Sequence, residues 1–465
     1  MNKKPYTTEV SMYKRKYLSF HTKLLEDSFL GFIAFFQDAF VVIRDDFVST
    51  NDIFSREVSK NFTQSESKVL KVNDVVSFFL RISSNNVYCV EIHKVIALSQ
   101  DISLLRDMVT AFEKNQLRIC EASNEDDINE IYYDIFELAL LNNIESSNLK
   151  LTKRVLFSLK KWSSMTYEGS KVDFCIGVCN AGEVNNQTSI CSYLQSKYSA
   201  TVSNSSETMI VVNRYGEIID YVHKNDSSCN ESLDCPSFCK SIISAALERE
   251  ELHFSSFLIL TKNGDICFLN KKGTLKGLFR SSRWQLISPE TFIYHCYRAL
   301  FKTGINNTFA KDMHKNPFLK KIFALTIDLS LLYCGGIVSF VKNRQLFIEQ
   351  EKIKKCDNLL ECEEPNNKKI MQLKMLKNNN MDAFLQTNNN VLLELLAMDG
   401  ASCIDFETKR FIVSGFILDQ IEPIEGHGGR GAAAFHLSNY GLSIKVSEDG
   451  GITLYNDSKK IYEIK

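Results

Sequence analysis

The spacing of apolar and polar residues changes character several times along the chain. Val75–Ile82 and Val87–Ile96 are short apolar bursts that predict strands. Ile128–Leu141 places apolar residues at helical spacing, and Leu151–Trp162 continues that character. From about Asp173 to Ile287 the pattern turns β-rich. Met209–Val222 predicts strand, turn and strand around Arg214-Tyr215-Gly216-Glu217, and a second such unit follows from Phe257 around Lys262-Asn263-Gly264-Asp265. The Asn263-Gly264 pair predicts a type I′ hairpin turn, in which both central residues take positive φ. Ser237–Glu251 predicts an amphipathic helix between the two units, and Trp284 closes a final strand. Repeated strand–glycine–strand units suit a small-molecule sensor and a structural domain equally well.

Residues 351–390 break the pattern with Glu361-Cys362-Glu363-Glu364-Pro365-Asn366-Asn367-Lys368-Lys369, Asn378–Asn380 and Asn388–Asn390. Such runs bury little surface, so at least part is a solvated loop, inserted within a domain because apolar pattern resumes on both flanks. From Val391 the order becomes informative. A helix ends near Met398, Asp399-Gly400-Ala401 follows, and a strand begins. Arg410–Leu418 is the next strand, followed by Gly426-His427-Gly428-Gly429-Arg430-Gly431 and an alanine-rich helix from Ala432. A strand ending at Ser447-Glu448-Asp449 and then Gly450-Gly451 complete the series. The expected fold class is α/β (α+β overall), with a C-terminal mixed β-sheet flanked by helices and a mixed α+β region before it. The expected division is 1–160 of unknown fold, 161–305 an α+β sensor domain, and 306–465 a nucleotide-binding domain.

Two stretches invite a membrane reading. Phe29–Ile43 falls short of the roughly 20 residues a helical span needs and carries Gln37 and Asp38. Phe323–Val341 is long enough but holds Asp328 and Gly335-Gly336, and a carboxylate at mid-bilayer costs about 2.5–3.5 kcal/mol. A buried helix, a glycine turn and a strand carry no such cost, so no membrane span is expected. The chain has 465 residues, a net charge of -1 and 44% hydrophobic residues. That balance gives no overall pull toward nucleic acid. Fourteen cysteines at irregular spacing, behind an N-terminus without a signal-peptide pattern, predict a cytoplasmic protein with mostly reduced, buried thiols. Cys175 and Cys179, with Cys229, Cys235 and Cys239 near His223, have spacings compatible with zinc, but burial in a strand is the simpler account of the first pair.

Gly426, Gly428 and Gly431 match the dinucleotide fingerprint literally, yet only 34 residues follow Gly431, too few for the later units of a doubly wound fold. The physical content survives that exclusion. A glycine-rich loop opening a helix brings backbone N–H groups to an anion, and Arg430 within it can neutralise a phosphate oxygen. Asp399, flanked by small residues, and Glu448 at a strand end offer hard oxygen donors suited to Mg²⁺ or Mn²⁺, or to general-base work on a hydroxyl.

The ordered set of Asp399-Gly400-Ala401, strand, glycine-rich loop with Arg430, alanine-rich helix, strand and Ser447-Glu448 resembles the diadenylate cyclase domain family. Leu331–Gln350 resembles that family's earlier helix–strand–turn–strand step, so the likeness covers about a third of the chain. It implies condensation of two ATP molecules to cyclic di-AMP, with Mg²⁺ or Mn²⁺ and with two domains meeting face to face. It also implies control by an unknown small-molecule ligand of the N-terminal region. Carried over by position, Asp399 holds the metal and helps activate the hydroxyl, and Gly400 and Ala401 line the nucleotide. Gly428, Gly429, Arg430 and Gly431 meet phosphate, while Ser447 and Glu448 close the metal and phosphate side. The family loop reads Gly-Thr-Arg-His-Arg, whereas this one reads Gly428-Gly429-Arg430-Gly431-Ala432. Each lost donor costs a factor of about 10²–10³ where charge must be stabilised in the transition state. A degenerate domain that binds nucleotide or cyclic dinucleotide without turnover, and a scaffold that only oligomerises, are the alternatives.

Overall fold

A computed structural model describes residues 148–182, 188–196, 198–202, 204–224, 234–301, 316–351, 384–418 and 428–464, the helix 125–144, residues 107, 110 and 111, and the backbone of four earlier strands. The polar run 352–383 and residues 419–427, which include Gly426 and His427, lie outside the described residues, as do Cys229 and most of Phe29–Ile43. Two compact units emerge, residues 1–154 with 277–286, and residues 155–276 with 287–465.

In the first unit, β1 (Phe40–Arg44), β2 (Val69–Val72), β3 (Val75–Ser83) and β4 (Asn86–His93) form an antiparallel sheet in the order β1-β4-β3-β2. Helix α1 (Glu125–Ile144) follows, and α2 (Leu149–Ser163) leads into the second unit. The second unit continues with the small hairpin β5 (Thr166–Tyr167) and β6 (Ser170–Lys171), then β7 (Phe174–Cys179), α3 (Ile190–Gln195), α4 (Ser199–Val202), β8 (Thr208–Val212) and β9 (Ile218–His223). After α5 (Lys240–Leu247) come β10 (Phe254–Leu260) and β11 (Ile266–Asn270), which with the earlier strands give the order β11-β10-β7-β8-β9. β7 and β10 are buried at every position, which accounts for their largely apolar sequences, with Ser255 and Ser256 the polar exceptions in β10. Within the first unit, β12 (Leu275–Arg280) pairs with β13 (Arg283–Leu286), and Trp284 donates to Glu137 at 2.7 Å.

The Asn263-Gly264 hairpin forms, but not as a type I′ turn. Only Gly264 has positive φ, at +90°, and its amide donates to Thr261 O at 2.9 Å while the Thr261 amide bonds Asp265 O at 2.8 Å. This is a three-residue loop whose last position takes the left-handed conformation. The same closure recurs at Asn213–Glu217 and Asn270–Thr274, with Gly216 and Gly273 in the left-handed position. The predicted helix from Ser237 is shorter than its pattern, with a 3-10 turn at Ser237–Cys239 ahead of α5 and another at Glu250–Leu252.

The rest of the second unit holds α6 (Pro289–Phe301), α7 (Pro317–Leu331), β14 (Gly336–Val341), α8 (Arg344–Glu351), α9 (Asn389–Leu396), β15 (Ala401–Asp405) and β16 (Phe411–Phe416). It ends with α10 (Gly429–Leu437), β17 (Gly441–Val446), β18 (Ile452–Asn456) and β19 (Lys459–Ile464). Asn316 starts α7 by accepting from the amides of Phe318 and Leu319, with Pro317 in the first turn. The expected α/β fold with a C-terminal mixed sheet is what the chain adopts. Six strands lie in the order β16-β15-β14-β17-β18-β19, with β14 parallel to β15 and antiparallel to β17. One face packs Ile337, Val341, Cys403 and Val413 against Phe347 of α8 and Ala434 and Leu437 of α10. On the other, Phe340 meets Phe318 edge-on, and Phe292 of α6 packs edge-on against both Phe323 and Tyr462. No helix among the described residues is long and apolar enough to cross a membrane, and Phe323–Val341 resolves into the end of α7, a turn and β14. The second strand expected before Gln350 does not form: Arg344–Glu351 is α8, which buries Phe347 alone.

Candidate functional site

Strand direction brings the chemistry-bearing residues to one edge of the C-terminal sheet. β14 and β15 both begin at this edge, and β17, running the other way, ends there. Asp399 is two residues before β15, Ser447 and Glu448 follow β17, and the first turn of α10 returns to the same edge. The helix begins at Gly429, three residues earlier than its alanines predict, because glycine is a weak helix signal in sequence. That early start puts Arg430 in the first turn. β17 likewise stops at Val446, leaving Ser447 and Glu448 in the turn rather than in the strand.

Three side chains from three separate segments meet here. Arg430 Nη1 lies 2.7 Å from Glu448 Oε1, and Arg430 Nη2 lies 4.0 Å from Asp399 Oδ1. Arg430 is 38% exposed, whereas Asp399 and Glu448 are 87% and 72% exposed, so the guanidinium is the anchored partner and the carboxylates face solvent. Ion pairs this open contribute little to stability, typically below about 1 kcal/mol. Gly335 explains how Arg430 is seated: a side chain there would strike the guanidinium and the Glu448 stem. Sequence reading treated Gly335 only as part of a turn, and a glycine pair ahead of a buried strand was the one signal available for it.

The neighbouring residues divide by role. Gly400 takes φ +90° with its Cα against the backbone of Gly415, a position closed to a larger residue. Ala401 points into the core at 1% exposure, and Gly431 is buried within α10. Gly428 and Gly429 border open space, and Gly428 caps α10 without any side-chain hydrogen bond. The first-turn amides of α10 therefore face the edge where Arg430 sits. The Ser447 hydroxyl donates to Gly451 O at 3.0 Å and helps close the turn to β18. The same hydroxyl and the Gly451 amide hold the Asp449 carboxyl below the usual carboxylate range.

His436 is not at this edge. It lies six residues beyond Arg430 on α10, about 9 Å along the axis, and pairs with Glu351 at 2.8 Å. The Tyr440 hydroxyl donates to the same Glu351 oxygen at 2.5 Å, and burial, then that bond and charge, push the phenol up. This Glu351–His436–Tyr440 group escaped sequence reading because its members lie 85 and 89 residues apart.

The cysteines follow burial. The nine described cysteines are in the thiol form, and Cys175 and Cys179 sit in fully buried β7. Burial first, then the neighbouring Cys235, Cys267 and Cys175, push the Cys239 thiol up. Among the described residues, no three His, Cys, Asp or Glu side chains gather closely enough to hold a metal ion by themselves.

The parallel strands β14 and β15 meet the site with their amino ends, opposite to the carboxyl-end crevice of doubly wound nucleotide folds. β17, the strand after the glycine loop's helix, is antiparallel to β14, which removes the dinucleotide reading on topology. No protein family, characterised protein or solved structure matches the chain.

Proposed function

We propose that the C-terminal sheet and its helices form a nucleotide-binding domain of the diadenylate cyclase type, which condenses two ATP molecules to cyclic di-AMP. The observation that supports this most is the meeting of Asp399, Arg430 and Glu448 at one sheet edge, beside the first turn of α10. Arg430 and the first-turn amides supply positive potential for phosphate. Asp399 and Glu448 supply two hard carboxylates, which suits Mg²⁺ or Mn²⁺ completing its shell with phosphate oxygens and water. With two carboxylates against one guanidinium, a triphosphate alone meets net repulsion, and the bound cation would reverse that sign.

In this reading Arg430 orients the phosphates, and Asp399 takes part in accepting the proton of an attacking 3′-hydroxyl. That hydroxyl comes from the ATP of a second copy; its oxygen bonds the α-phosphorus, and pyrophosphate leaves. The outward-facing carboxylates accord with a site completed by self-association. The reading places the protein in the cytoplasm, where ATP is, with residues before the domain responding to a small-molecule ligand.

Gly429, Gly431 and Ala432 carry none of the loop donors of the family pattern, and this favours a second reading, nucleotide or cyclic-dinucleotide binding without turnover. Incubating the purified chain with ATP and Mn²⁺ and assaying cyclic di-AMP by mass spectrometry separates the two. Product from wild type and none from Asp399→Asn is the expected result. Nucleotide binding without product selects the second reading, and no binding at all removes both.

A further inference from the structure

Helix α7 ends on a residue type that its backbone disfavours. Tyr333 follows the C-cap Leu332 with φ +56°. Its amide bonds Ser330 O at 3.2 Å, and the Cys334 amide bonds Leu329 O at 3.2 Å, the paired return bonds of a helix terminus that normally calls for glycine. A side chain persists in the left-handed region where surrounding contacts fix it. Here the Tyr333 hydroxyl donates to Asp265 Oδ1 at 2.8 Å, and Asp265 is only 1% exposed. Two further contacts hold the same helix end from the middle sheet and its connections. Asn263 Nδ2 donates to Leu331 O at 2.7 Å, and Ser237 donates to the Asp328 carboxylate through its amide at 2.8 Å and its hydroxyl at 2.5 Å.

The other flank of this short segment forms part of the charged site. The Ser330 hydroxyl donates to Gly450 O at 2.5 Å, in the turn that carries Ser447 and Glu448. Gly335, two residues beyond Tyr333, lies directly against Arg430 and Glu448. The segment from Asp328 to Gly335 is therefore fixed by the β10–β11 turn on one side and fixes the Arg430–Glu448 pair on the other.

We propose that this segment couples the middle sheet to the site, with Tyr333 a positioning residue that sets the Glu448 turn through Ser330. A shift of the β10–β11 turn then reaches the guanidinium without passing through the sheet core. Contiguity alone does not establish coupling, so the test is a double-mutant cycle. The inference rests on the nucleotide reading only for its second readout.

The experiment uses the full chain with Tyr333→Phe, Ser330→Ala and the double variant. Amide hydrogen exchange is followed across residues 447–451, with α9 as internal reference, and binding of ATP with Mn²⁺ is titrated. Each single variant is expected to speed exchange in that turn by about fivefold, the effect of one lost neutral hydrogen bond. The double variant should exceed neither by much, and affinity should fall in parallel. Unchanged exchange at 447–451 in Tyr333→Phe, or single effects that simply add, would overturn the coupling. If no variant and no wild type binds ATP, the nucleotide reading fails while the exchange data still decide the proposal.

Discussion

Asp328 shows how a single buried charge is made tolerable. It lies in the last turn of α7 at 4% exposure, and burial raises its pKa to about 6, against the opposing effect of the two Ser237 hydrogen bonds and of Lys240. The folded state thus holds this proton more tightly than the unfolded chain does. The stabilisation from protonation is complete below the unfolded value of about 3.9 and is lost as pH rises through about 6. Denaturant titrations of wild type and Asp328→Asn between pH 4 and 7 test this, because other carboxylates cancel in the difference. Wild type should gain on the variant toward low pH by on the order of 2–3 kcal/mol. A difference that stays flat with pH would mean that Asp328 is not desolvated. By contrast, the site carboxylates Asp399 and Glu448 are open to solvent, so substituting them should alter binding and leave stability nearly unchanged.

Among the elements, the connection from α9 to β15 is the most constrained part of the site. Gly400 holds φ +90°, and a Cβ built there would stand 2.6 Å from the Gly415 carbonyl carbon. Backbone on both sides leaves no flexible group to yield, so Gly400→Ala is expected to destabilise by about 2 kcal/mol or more, read as a lowered denaturation midpoint. Gly335 contrasts with it. Its close neighbours are the guanidinium of Arg430 and the stem of the exposed Glu448, which can move, so the same substitution there should displace the ion pair with little cost to folding. Of the three glycine-closed turns, those at Gly216 and Gly264 were legible as turns because glycine marks the positive φ directly. The type of the turn at Asn263-Gly264 was not, since a two-residue and a three-residue loop can carry the same Asn-Gly signal and differ only in how the strands pair.

Across the second unit, packing crosses the boundary that composition suggests near residue 305. Phe292 of α6 packs on Phe323 and Tyr462, and the end of α7 is tied to Ser237, Asn263 and Asp265. A fragment of residues 306–465 would bare those aromatic faces and leave Asp328 without its Ser237 donors. It should unfold at lower denaturant than a fragment of residues 155–465, and equal midpoints for the two would show that the earlier residues add nothing to the C-terminal fold.

Most helices and strands were readable because alternation and helical spacing are local properties. The order of elements around Asp399, Arg430 and Glu448 was readable for the same reason. The sequence by itself determined which residues carry charge and which segments are apolar. Only the tertiary structure decided that β14 and β15 start at the edge where β17 ends, and so that the three charges meet. It alone seated Arg430 over Gly335, sent His436 to Glu351 and Tyr440, and tied Tyr333 to Asp265. The hydrogen bonds among them join residues 68 to 89 positions apart, and no local pattern encodes a hydrogen bond whose partner is chosen by strand order.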